Sequence, residues 1–303
     1  MQEPEPRDVS VIVFVRESAA SIRDTLRSLE AQEGIEAAEV IVADGSSDGT
    51  SEIVAREFPW VRHLRFEPDT MPALKGRAIQ AARGSVLAIL DSCDRAGPGW
   101  LREIVRGLEQ SGAEAVGGEV LFEGPPGGIN AAGYLFEYGA FAPPLVSGPT
   151  QGDLPGNNVA YRARVFRETC AELLPGGFWK PFFHRRIRER GGSLHLYPAM
   201  HVHHRIRMDL GAFLLRRFHY GRCFGAMRYA AADRRRKILY LLLEPGVPLL
   251  LCWRHVRRAW GHPGNRKLLL RALPALLLLC CSWGVGEWLG TWFGSGRSCA
   301  RVY

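Results

Sequence analysis

No C-x-x-C pair occurs among Cys93, Cys170, Cys223, Cys252, Cys280, Cys281 and Cys299, and none is regularly spaced with histidine. That absence argues against a structural zinc site and against a disulfide framework. Reduced thiols are the expectation, as in a cytoplasmic protein. The first ten residues are polar and partly acidic, with no basic segment leading into an apolar run, so no cleaved secretory signal is visible. The first domain is expected to stay in the cytoplasm. No internal repeat is present, which removes repeat architectures. Acidic side chains are in the minority: 31 against 39 Lys and Arg give a net charge of +8 and a pI near 9.3. Such a balance suits nucleic acid, anionic lipid or a phosphorylated substrate and selects none of them. With 303 residues, 47% of them hydrophobic, the chain can bury a full core, so disorder is not its reading.

What is present alternates. The apolar run 9–15 reads as a buried parallel strand, and a helical pattern follows from Ser18 through Ile22, Leu26 and Leu29. Residues 39–43 form a second strand ending in Asp44, and 86–90 a later one ending in Asp91. Helices are expected near 50–57 and 72–82, with a strand near 61–66 between them. Strand–helix alternation with short connections predicts a doubly wound α/β sheet, whose ligand site lies at the carboxyl ends of its strands. Both aspartates fall at that edge. Further on, a strand over 116–122, a helix over 130–140, a loop over 152–158, helices near 162–173 and 181–190 and a strand near 193–197 are expected.

The segment Asp44-Gly45-Ser46-Ser47-Asp48-Gly49-Thr50 follows a strand and opens a helix, placing its carboxylates and amides toward the ligand edge. Aspartate, glycine and serine also form plain hydrophilic turns. Asp44, Ser46, Asp48 and Gly49 match the opening of an EF-hand loop, but its twelfth position would be Ala55 rather than glutamate, so a calcium loop fails. This motif resembles the nucleotide-binding signature of family-two glycosyltransferases. The resemblance continues through Gly84, Leu90-Asp91 and Gly97-Pro98-Gly99-Trp100-Leu101. It implies a GT-A domain over residues 1–205 and a UDP- or GDP-linked sugar donor, transferred with inversion.

Carried over residue by residue, the resemblance assigns Asp44 to the nucleobase, with Ser46 and Asp48 beside it. Asp91 goes to the ribose or a divalent cation. The second position of the family's D-x-D pair is Cys93, a poor ligand for Mg²⁺ or Mn²⁺. Asp94, next to it, is the remaining metal candidate together with Asp91. Lys75 and Arg77 stand at a helix start suited to a diphosphate, or on a solvated face. Asn157 and Asn158 resemble the family's G-x-N stretch beside the acceptor, and a simple helix cap fits them as well. The family's base carboxylate has no counterpart in Phe178-Trp179-Lys180-Pro181-Phe182-Phe183-His184-Arg185-Arg186-Ile187-Arg188. Lys180 is left as a diphosphate contact and His184 as the nearest base-capable side chain. Loss of a metal aspartate together with gain of a lysine suggests that Lys180, Arg185 and Arg217 replace the cation.

From residue 201 the composition shifts to Arg and His interleaved with Phe, Leu and Tyr, and 206–303 is expected to be a basic, helical, membrane-associating region. Residues 239–253, broken by Glu244, Pro245 and Pro248, suit an interfacial or re-entrant helix, whereas 268–293 is long enough to cross a bilayer. Basic flanks favour the cytoplasmic face. An Arg-rich segment that runs straight into apolar ones suits a membrane better than a duplex, so no nucleic acid is expected. The reading is a membrane-associated glycosyltransferase acting on a lipid-linked or glycan acceptor. The alternative is a non-catalytic GT-A domain that scaffolds membrane enzymes.

Overall fold

The computed structural model describes residues 8–67, 70–125, 128–205, 207, 209–230 and 232–302. The chain divides into two compact units, Met1–Leu121 with Phe141–Arg205, and Phe122–Ala140 with Ile206–Tyr303. The second unit takes in the segment 122–140 as well as the residues after 205, which a single division at 205 does not describe.

In the first unit β1 (Val9–Val15), α1 (Ile22–Glu30), β2 (Glu39–Asp44), α2 (Thr50–Glu57), β3 (Arg62–Arg65), α3 (Met71–Ala81) and β4 (Val86–Asp91) alternate as expected. Every residue of β1 is buried, the signature of a parallel strand covered on both faces. It pairs in parallel with β2 and β4, Val15 opposite Asp44 and Phe14 opposite Asp91, so both aspartates end their strands at one edge. Then come β5 (Asp94–Ala96), α4 (Trp100–Ser111), β6 (Ala115–Gly117), β7 (Val120–Phe122), α5 (Gly128–Glu137), β8 (Gly148–Pro149), β9 (Asn158–Arg162), α6 (Lys180–Glu189), β10 (Leu194–Leu196) and β11 (Val202–His204). The main sheet has the order β3-β2-β1-β4-β9-β6-β10-β8, and β5-β11-β7 form a second, small sheet.

Two expectations fail here. The strand 116–122 is two strands in two sheets, and Asn157 and Asn158 cap no helix but lead into strand β9, ahead of the helix expected from 162. Val159, Ala160 and Tyr161 are fully buried in β9, which pairs antiparallel with both β4 and β6. Two rows of backbone partners decide the matter, and they outweigh a weak local helical preference. Only after Arg162 does the chain coil, through a π turn (Val165–Thr169) and a 3₁₀ turn (Ala171–Gly176).

The second unit contains α5, α7 (Leu210–Ala230), α8 (Arg234–Leu243), α9 (Val247–Gly261) and α10 (Pro263–Phe293). Helices α7 and α10 run side by side in the same direction, Ser282 Oγ donating to Leu214 O at 2.7 Å. Their backbones meet because glycines face each other. A Cβ on Gly286 would stand 2.2 Å from Phe218 O, and one on Gly225 2.4 Å from Glu287 O. Close backbone approach of this kind is what small residues four apart allow. The interrupted stretch 239–253 is the end of α8, a 3₁₀ turn at Glu244–Gly246 and the start of α9. Residues Gly264–Phe293 are long and apolar enough to cross a membrane, an 18-residue window within them reaching a mean hydropathy of 1.9. The expectation of reduced thiols throughout is corrected at one pair. Cys223 on α7 and Cys299 form a disulfide across 76 residues, because the chain after α10 folds back onto α7.

Candidate active site

The loop after β2 is bound up in its own hydrogen bonds. Asp44 is fully buried. Its Oδ1 accepts from Ser46 N–H at 2.8 Å, and its Oδ2 from Ser51 Oγ at 2.5 Å, His63 Nε2 at 2.8 Å and Arg65 at 3.3 Å. Burial alone would raise the Asp44 carboxyl, but hydrogen bonds from Ser51, His63 and Ser46 reverse this and lower it. Arg65 also donates to Ser46 O at 3.0 Å, and Ser46 Oγ accepts from Glu17 N–H at 3.1 Å. Asp48 accepts from the Thr50 amide and hydroxyl and from Ala19 N–H at 3.0 Å. Gly49, at φ +86°, turns the chain into α2 in the left-handed region that glycine tolerates.

Asp91, at the end of β4, faces Lys75 of α3, Nζ to Oδ1 3.6 Å. Lys75 also lies 4.8 Å from the centre of the Phe14 ring. Arg77, two residues on, is exposed and sits 6.0 Å over Phe66.

Next to Asp91 three ligand-type side chains converge: Cys93, Asp94 and His204, their donor atoms within 4.8 Å of one another. His204 Nδ1 and Asp94 Oδ1 are 2.6 Å apart, and Asn157 Nδ2 donates to Asp94 Oδ2 at 2.8 Å. Burial raises Asp94, and Asp94 in turn outweighs burial at His204 and raises it well above its ordinary value, so the pair retains a proton. The Cys93 thiol, pushed up to about 11 by burial and by Asp94, stays protonated. This donor set does not fit Mg²⁺ or Mn²⁺. Both Asp94 oxygens are engaged, Asp91 faces a lysine, and a cysteine sulfur is a soft donor that suits a hard cation poorly.

The first turn of α6 completes the site. Lys180 Nζ donates to Leu154 O, and its proton affinity is lowered by burial and by the charge of Lys75, against the pull of Asp153. Asp153 accepts from His184 Nδ1 at 2.9 Å. Although burial opposes it, that hydrogen bond and the charges of Lys180 and Arg188 hold its carboxyl at about 2. His184 Nε2 accepts from the Tyr161 hydroxyl at 2.7 Å, and burial lowers the imidazole to about 4. Both ring nitrogens are occupied, so His184 orients Asp153 and is not itself a free base.

Asn157 and Asn158, expected at the acceptor side before a helix, are buried at the start of β9. Asn158 accepts from Trp100 Nε1 at 2.8 Å and donates to Glu119 O and Met200 O. Two members of the expected cationic clamp are committed elsewhere. Arg185 is exposed, 3.6 Å from Glu189. Arg217 lies in the second unit, 2.9 Å from Glu137 and 4.9 Å over Phe213 and over Tyr220. The sequence reading missed Asp153 and His204. Asp153 is the one acidic residue of the loop 152–158, a signal that was available, whereas nothing local distinguishes His204 from its neighbours His201 and His203.

Residues 10–170 match glycosyl transferase family 2. The succinoglycan biosynthesis protein ExoO of Rhizobium meliloti (strain 1021) is 35% identical over 109 residues, 35% of this chain and 31% of that protein. Glycosyltransferase AglE of Haloferax volcanii is 34% identical over 133 residues, 42% of this chain and 43% of that protein. The matches thus span less than half the length of these relatives. Among solved structures, the mannosyltransferase PcManGT from Pyrobaculum calidifontis, in complex with GDP-Man and Mn²⁺, has a TM-score of 0.59 at 16% identity. It covers 94% of this chain and 88% of its own, a likeness of fold.

Proposed function

The chain belongs to glycosyl transferase family 2, and on that premise we propose that it transfers a sugar from a UDP- or GDP-linked donor to a lipid-linked or glycan acceptor at a membrane surface, with inversion. The observation that carries the reading is a line of charges at the carboxyl edge of the sheet: Asp91 beside Lys75, and Lys180 beside Asp153. In this reading Lys75 and Lys180 hold the diphosphate in place of a divalent cation, replacing the clamp of Lys180, Arg185 and Arg217 that the sequence suggested. Asp91 orients Lys75 and receives the ribose. The loop from Asp44 to Asp48 forms the nucleoside side, where Asp44 acts by fixing Ser46, His63 and Arg65 around the base.

Asp153 supplies the carboxylate missing from α6. The acceptor hydroxyl attacks the anomeric carbon and its proton passes to Asp153. The bond from that carbon to the diphosphate oxygen breaks, and its electron pair leaves with the nucleotide, neutralised by the two lysines. Displacement from the opposite face inverts the centre. His184 donates to Asp153 and keeps it ionised and aimed.

Calorimetric titration of detergent-purified protein with UDP, GDP and their sugar conjugates, with Mn²⁺ and with EDTA, tests this. One nucleotide is expected to bind with an affinity that EDTA barely changes, and Lys75→Ala is expected to weaken it about tenfold, the worth of one charge-assisted contact. Strict dependence on Mn²⁺ with no effect of Lys75→Ala and Lys180→Ala overturns the cationic site. Tight binding with no transfer to any acceptor, and no donor hydrolysis, returns the chain to the scaffold reading.

A further inference from the structure

Among the described residues, helix α10 is packed on one side. Its inner face meets α7, α5 and α9. On its outer face Leu270, Leu277, Leu278, Val285, Trp288 and Trp292 are 39–63% exposed. At 100° per residue these positions lie within about 100° of arc and form a stripe ~33 Å long. The inner face, lined by Leu269, Ala272, Leu276 and Leu279, turns polar only near its C-terminal end. Glu287 is buried and pairs with Arg228 of α7 at 2.6 Å, and Thr291 donates to Glu244 at 3.0 Å. Were α10 to cross a bilayer, α7 would be carried into the hydrocarbon beside it with Arg222 and Arg228, an unfavourable place for guanidinium groups.

The neighbouring helices have the same asymmetry. At 10 and 15 residues α8 and α9 fall short of the ~20 needed to span a bilayer. Yet Leu242 and Leu249 are 72% and 77% exposed. Two exposed tryptophans are each paired with arginine, Trp253 with Arg257 at 4.7 Å and Trp260 with Arg266 at 5.6 Å. An indole belongs at headgroup depth, and the arginine beside it meets lipid phosphate. A one-sided apolar stripe bordered by exposed cations complements the surface of an anionic leaflet.

We propose that the second unit lies in the plane of one leaflet of an anionic membrane, with the Leu270–Trp292 stripe immersed, and does not cross the bilayer. The proposal rests on the reading that this unit meets lipid and is independent of sugar transfer. In a background with Cys93, Cys252 and Cys281 each replaced by serine, Gly264→Cys and Arg297→Cys mark the two ends of α10. Both are expected to react with a membrane-impermeant maleimide in sealed, inverted vesicles from expressing cells. Labelling of one end only after detergent lysis makes α10 a span and overturns the proposal. Purified full-length protein is expected to float with phosphatidylcholine–phosphatidylglycerol vesicles. Leu277→Glu combined with Leu278→Glu, both exposed and so harmless to folding, is expected to lower the bound fraction about tenfold while the detergent-solubilised melting temperature is unchanged. No flotation of the parent chain, or conversion of a dimer to a monomer by the double substitution, assigns the stripe to another occupant and also overturns the proposal. Transfer activity in detergent reports separately on the catalytic reading.

Discussion

His184 donates to Asp153 and accepts from Tyr161, so an imidazole that looked like a candidate base spends both nitrogens on orientation. The consequence falls on Asp153. Asp153→Asn is expected to lower kcat by about 100-fold or more, the usual worth of a general base, with little change in donor KM. Because the folded carboxyl sits at about 2, the base form is present at all higher pH, and the acid limb of kcat/KM should lie well below the ordinary aspartate range. His184→Leu removes a hydrogen bond that lowers Asp153, so the limb should move to higher pH, as a pH–rate profile of the variant would reveal. Asp44 carries stability in the same sense. Its folded value is depressed, so its contribution is present above the unfolded value of about 3.9 and is lost as pH falls through the lower folded one. Asp44→Asn should cost about 2 kcal/mol in urea denaturation at pH 7, and progressively less in a strongly acidic series.

Among the elements, β1, β2 and β4 were legible because each is a continuous apolar run ending in a polar turn, and both features are local. Strand β9 was not. Its run Val159-Ala160-Tyr161 is too short for periodicity to separate strand from helix, and its state is set by β4 and β6, distant in sequence. The helical pair α7 and α10 depends on something a hydropathy pattern hides, the absence of side chains at Gly221, Gly225, Gly286 and Gly290. Gly286→Ala drives a methyl toward Phe218 O and should destabilise the protein by about 1–3 kcal/mol. Gly261, at the end of α9, has nothing within 4 Å of a built Cβ, and Gly261→Ala should be neutral or stabilising by up to about 1 kcal/mol. Thermal melts of the two variants provide the comparison. Equal losses would mean that the glycines do not set the packing.

At the scale of the whole molecule, the chain does not divide at a single point. Helix α5 lies within the sequence of the first unit but packs against α10 of the second, and its Ala131, Ala132, Tyr134 and Leu135 are buried. A chain ending at residue 205 keeps that apolar face and loses its cover. It is expected to bind a hydrophobic dye and to aggregate, relative to the full chain in the same detergent. A monodisperse, dye-negative fragment would show that α5 finds other cover. The amino-acid sequence by itself determined the strand–loop–helix order, and with it the carboxyl edge where Asp44 and Asp91 end their strands, because both follow from local patterning and the handedness of a wound sheet. Only the tertiary structure decided that Lys75 stands at Asp91, that His204 and Asn157 take up Asp94, and that Asp153 reaches the first turn of α6. Those partners come from separate strands and helices, and their meeting is set by burial and charge pairing among residues that no local pattern connects.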